Sequence, residues 1–222
     1  MAGVFAATAA VIFALGANAL AQDTAPENRN RQATARTSLG APLAAICAAA
    51  AAEGRADEEA MRACDQAVVT ERLNRANMIA TQLNRGAIHL RRRDAAGALD
   101  AYDAVLAIDD EHAEAHMSRG VALQMLGRPG PAVSAITEAL GLGVNQPHMA
   151  YYYRAAARES LGDVRGAYED YRTALEIEPN WGPAFEELAR FARVRRDELA
   201  ELADGPEAGD NGEDAAESQE TP

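Results

Sequence analysis

Cys47 and Cys64 are the only two cysteines of the chain, and the stretch around them, "ICAAAAAEGRADEEAMRAC", admits three chemistries: a metal site, a redox pair or a crosslink. A metal site would need further soft or imidazole ligands, and the residues between the cysteines offer only carboxylates. A redox pair would sit two residues apart. The remaining candidates are a structural disulfide and a pair of free buried thiols. His112, Glu114 and His116 form a second candidate, since histidines four apart share a helix face and could reach one zinc ion. In the zinc-protease motif a glutamate directly follows the first histidine; here Ala113 does, and the catalytic base is missing. The third group is arginine: the run Arg91-Arg92-Arg93, and Arg85, Arg119 and Arg154 at near-regular intervals. A basic run at a helix C-terminus is favoured by the exposed carbonyls there. The chain has no glycine-rich phosphate loop, no nucleophile elbow and no recurring pair of carboxylates. The expectation is therefore a non-enzyme with no cofactor, no metal ion and structural histidines.

The compartment decides between disulfide and thiols. Residues 1–21 are uncharged, small and apolar, and they end in Ala19-Leu20-Ala21, which resembles a signal-peptidase site. Export is expected, to the bacterial periplasm, with cleavage before Gln22 and no membrane span afterwards; an uncleaved anchor is the rival reading. The 222-residue chain has a formal net charge of −13, and all 21 of its basic residues are arginine. An acidic chain without a basic cluster opposes phosphate backbones, so no nucleic-acid partner is expected. Alanine is frequent and aromatics are 5%, which suits helices packed through small residues.

Those helices repeat. "QLNRGAIHLRRRDAAGALDAYDAVLAID" from Gln82, "HMSRGVALQMLGRPGPAVSAITEALGLG" from His116 and "YYYRAAARESLGDVRGAYEDYRTALEIEP" from Tyr151 align. The arginines at 85, 119 and 154 recur at steps of 34 and 35 (119 minus 85, 154 minus 119), as do Ala98, Ala132 and Ala167. Each copy keeps helical spacing of apolar residues and is interrupted midway by Gly or Asp, so each is a helix, a tight turn and a second helix. One hairpin cannot bury its apolar face alone, so the copies must stack. The arginines that keep this period are expected to form inter-helix ion pairs or to pack their stems on the next helix.

The third copy resembles the tetratricopeptide repeat, through Tyr151, Ala155, Ala167, Tyr171, Ala174 and Pro179. The second has His116, Gly120, Leu123, Ala132, Ile136 and Ala139 in those places, and the first Gln82, Gly86, His89, Ala98, Tyr102 and Val105. The resemblance implies an all-α fold, an α-solenoid of stacked antiparallel helix hairpins. Its expected parts are a leader at 22–40, a degenerate repeat at 41–78, repeats at 79–112, 113–147 and 148–181, a capping helix at 182–203 and a disordered acidic tail at 204–222. Phe185, Leu188, Ala189 and Ala192 share the apolar face expected of the cap. The resemblance also implies a protein or peptide partner, held on the concave face of the first helices. In register that face holds Leu83, Ala87, Arg91, Met117, Val121, Gln124, Met149, Tyr152, Ala156 and Glu159. The family's carboxylate clamp relies on lysine, which this chain lacks. The function implied is a non-catalytic interaction scaffold of the cell envelope, the alternative being an accessory subunit of an envelope enzyme or assembly machine.

The same register places Cys47 and Cys64 on the two helices of the degenerate repeat, on either side of the turn at Gly54-Arg55. Antiparallel pairing brings them face to face, and an oxidising compartment favours a disulfide. Two free buried thiols remain the alternative.

Overall fold

The computed structural model describes residues 42–203, with side chains as far as Asp197. The expected signal segment, leader and acidic tail lie outside the described residues. Within them run α1 (Leu43–Ala52), α2 (Glu58–Thr70), α3 (Arg75–Arg91), α4 (Ala95–Leu106), α5 (Ala113–Met125), α6 (Pro129–Gly141), α7 (Pro147–Ser160), α8 (Val164–Ile177) and α9 (Gly182–Ala203), and no strand. The helices pair as successive hairpins, each second helix packing on the first helix of the next pair. None of the described helices is long and apolar enough to cross a membrane.

Local chemistry sets the boundaries. Asp57, Asn74, Asp94 and Asp163 each cap a helix, accepting a hydrogen bond from the backbone N–H three residues on. Pro129 and Pro147 open α6 and α7, where the missing N–H costs nothing. Asn74 starts α3 at Arg75, so the repeat boundary expected between 78 and 79 falls inside a helix. The turns after α1, α5, α6 and α7 each use a left-handed glycine, at Gly54, Gly127, Gly143 and Gly162. After α3 the same place is taken by Arg93, with φ of 61°.

Close packing depends on the small residues of the repeat. A Cβ on Gly86 would stand 2.6 Å from the Tyr102 ring, and one on Gly120 would collide with Ile136. Both glycines let a bulky side chain of the second helix lie against the first helix. Tyr102, Ile136 and Tyr171 are buried in one continuous core running from α3 to α9. Full burial of such a side chain is worth about 1.5–3 kcal/mol.

The periodic arginines pair with aspartates across helices, and their pattern shifts along the solenoid. Arg85 reaches back to Asp65 on α2 at 2.7 Å, and Arg119 to Asp103 on α4 at 2.6 Å. The next residue of that aspartate series is Thr137 (103 plus 34), which cannot ionise. Arg154 donates to its hydroxyl at 3.3 Å and turns forward to Asp170 on α8, which it grips through two nitrogens at 2.8 and 2.9 Å. Asp170 is buried and also meets Arg158 at 2.9 Å.

Helix α1, "LAAICAAAAA", has almost only methyl groups with which to hold itself in place. Three tethers from elsewhere fix it. The Glu71 carboxylate accepts from the N–H groups of Leu43 and Ala44 at its start, and Arg91 donates to the Ala51 carbonyl near its end at 2.7 Å. Between them a disulfide joins Cys47 to Cys64, with Cα atoms 4.8 Å apart and both residues fully buried. The expected crosslink is thus present in the structure.

The capping helix buries only part of the face expected. Leu188 packs on the core as expected, together with Ala184 and Phe191, while Phe185 is 64% exposed and Ala192 is exposed. Phe185 is one repeat step beyond Tyr151 (185 minus 151 is 34), and α9 is not followed by a second helix among the described residues.

Candidate interaction face

The first helices α3, α5 and α7 bring the expected groove residues to one side of the solenoid but do not leave all of them accessible. Met117, Val121, Met149 and Tyr152 are 4%, 3%, 2% and 9% exposed and belong to the core. Contrary to expectation, these four residues pack in the interior and do not line a groove. The cause is visible at Tyr152, which meets Tyr153, Tyr171 and Trp181 edge-on at centroid distances of 5.5, 5.4 and 5.0 Å. Trp181, in the connection to α9, also meets His148 at 5.0 Å. Burial first, and then the carboxylates of Glu187, Glu186 and Glu159, push the Tyr152 hydroxyl up to about 12, so it stays a neutral phenol.

Arg91 and Glu159 stand on the face with their charges already engaged. Arg91 caps α1, as described above, and Glu159 receives Arg190 of α9 through both carboxylate oxygens at 2.7 Å. Leu83, Ala87, Gln124 and Ala156 are half-buried. Gln124 donates to the Ala156 carbonyl at 3.3 Å and to the Ser160 hydroxyl at 2.8 Å, which locks α5 to α7 along this side. What a partner could touch here is a shallow surface of short side chains, with Leu83 and Met125 as its larger half-exposed apolar groups.

The histidines have structural positions. His112 is the residue before α5, and its Nδ1 accepts from the Ala115 N–H at 3.3 Å. His116 Nε2 donates to the Asp110 carbonyl at 2.7 Å. Glu114 turns to the other repeat junction and accepts from Asn145. Among the described residues no three His, Cys, Asp or Glu side chains come together to hold a metal ion.

Sequence reasoning missed the roles of Glu71, Arg190 and Trp181. Glu71 and Arg190 act across 28 and 31 positions, outside the repeat register. Trp181 did carry a signal, as the only tryptophan, placed just after Pro179-Asn180.

No family model and no curated protein matches the chain. Solved structures do match. The first tetratricopeptide-repeat domain of human RPAP3 is 25% identical, over 55% of this chain and 96% of that one, with a TM-score of 0.51. The first such domain of Spaghetti (RPAP3), solved with the HSP90 peptide SRMEEVD, is also 25% identical, over 54% and 96%, with a TM-score of 0.50. MamA from Desulfovibrio magneticus RS-1 is 19% identical, over 72% and 87%, with a TM-score of 0.59, a likeness of fold. Stacked helix hairpins at a step of 34 to 35 residues, with Gly86 closed on Tyr102 and Gly120 on Ile136, and the match to these domains give the described residues the fold of a tetratricopeptide-repeat solenoid.

Proposed function

We propose that the protein is a non-catalytic interaction scaffold, exported to the bacterial periplasm, that holds a segment of a partner protein on the face of α3, α5 and α7. The observation that carries this is the half-exposed surface of Leu83, Ala87, Gln124 and Ala156, on the first helices of a fold whose solved relatives include a domain bound to an HSP90 peptide. Short side chains let a partner's backbone come close, and Leu83 and Met125 supply apolar contact. The partner is not captured by a lysine clamp on its C-terminal carboxylate, since the chain has no lysine. The buried Cys47–Cys64 disulfide supports the oxidising compartment.

The test is capture from periplasmic extract by the wild type and by an Ala87→Arg, Ala156→Arg double variant. Both sites are half-exposed, so the helical circular dichroism should persist while the retained protein is lost. Equal retention by the two would remove this face from consideration.

A further inference from the structure

Among the described residues, every arginine that is at least half-buried pairs with a carboxylate, with one exception. Arg55 meets Asp57, Arg85 meets Asp65 and Arg119 meets Asp103, while Arg154 and Arg158 share Asp170 and Arg190 holds Glu159. Arg91 is the exception. Its Nη1 donates to the Ala51 carbonyl at 2.7 Å, a Cβ on Gly54 would stand 3.9 Å from its guanidinium, and its Nε is buried without a hydrogen-bond partner. A guanidinium partly withdrawn from water and matched only by a carbonyl dipole has a positive charge still to be compensated.

Its position gives that charge a use. Arg91 is one helical turn beyond Ala87 on α3 (91 minus 87 is 4), and Leu83 is one turn before it, so the charge ends a row of half-buried short and apolar side chains. Glu159, the other charged residue expected on the face, is already held by Arg190.

We propose that Arg91 determines the specificity of this face by binding the side-chain carboxylate of an aspartate or glutamate in the partner segment. The inference rests on the binding reading above and gives the partner a chemistry: small or apolar residues over Leu83 and Ala87, then an acid at Arg91. The planar fork has five N–H donors, and the Ala51 carbonyl holds it in place before the partner arrives.

The probe is a phage library of random short peptides, fused so that none has a free C-terminus, which removes the terminal carboxylate as a source. Full-length wild type is panned beside Ala87→Gln, a longer neutral side chain on the face. Peptides retained by the wild type and lost with Ala87→Gln should be enriched in an aspartate or glutamate at one position. In such a peptide, made with an amidated C-terminus, replacing that acid by its amide should weaken binding to the wild type roughly tenfold or more. On Arg91→Gln, which can still donate to Ala51, the same replacement should cost less than about twofold. If Arg91→Gln loses its helical circular dichroism, added salt on the wild type takes its place and should weaken the acidic peptide but not its amide form. Peptides that depend on Ala87 but carry no enriched acid, an acid whose removal costs the same on both proteins, or salt that weakens both peptide forms alike would overturn the inference and leave the binding face standing. Finding no peptide that depends on Ala87 would overturn both.

Discussion

Cutting the Cys47–Cys64 crosslink should loosen the first repeat before the rest of the solenoid. The two residues are 17 positions apart, and closing a loop of that size removes about 3 kcal/mol of chain entropy from the unfolded state. The native side has little to set against that loss. Helix α1 has ten residues, too few to be stable alone in water, and its buried groups are Cys47, Ala50 and Ala51. After the crosslink is cut, the Glu71 cap and the Arg91 hydrogen bond remain, each worth about 0.5–2 kcal/mol. A Cys47→Ala, Cys64→Ala variant should therefore melt roughly 6–12 °C lower. Limited proteolysis should cut first near the turn at Gly54, while α3 to α9 stay resistant. Thiol labelling of the wild type, denatured without reductant, should find no free thiol. Two labelled thiols, or a melting temperature that ignores reductant, would refute the reasoning.

Other perturbations have definite signs. Tyr152→Ala removes a buried ring from contact with three aromatic neighbours and should cost about 3–5 kcal/mol in thermal unfolding; a cost under about 1 kcal/mol would return Tyr152 to the surface. Arg93→Gly relieves a left-handed arginine worth roughly 1–2 kcal/mol, against about 0.4–1 kcal/mol of added unfolded freedom, and should raise the melting temperature by up to about 6 °C. A fall instead would show that the Arg93 side chain carries a contact of its own. Asp57 is held down to about 2 by its hydrogen bond from Arg55 and by the Ala60 N–H. Since its folded value lies below the unfolded one, its contribution is complete above pH of about 4 and fades as the pH falls towards 2, and Asp57→Asn should flatten that part of the stability profile. An unchanged profile would contradict the pairing.

The repeat was legible because its packing obeys a period. Steps of 34 and 35 placed Gly86 and Gly120 where a second-helix side chain must come close, and Arg85, Arg119 and Arg154 where an aspartate of a neighbouring helix is in reach. Periodicity assigns a residue to a side of its helix, but it does not say how near the next helix comes. Met117 and Tyr152 were therefore placed on the right helices and given too much exposure; at Tyr152 the reason is Trp181, whose ring closes over it. Phe185 shows the converse. Its slot implies burial only where a second helix follows, and the charged residues of α9 hide which of its two apolar sides is covered. Glu71 lies outside the register and Arg91 was placed by it on the open face, and their capping of α1 depends on a fold already formed.

Site-specific photo-crosslinking in living cells tests the proposed binding face most directly. A photoreactive residue at position 87 or 156, on the first helices, should yield an adduct with the partner protein, and one at the exposed position 172, on the opposite side of the last complete repeat, should not. Adducts from 172 with none from 87 or 156 would contradict the assignment of the α3, α5 and α7 face.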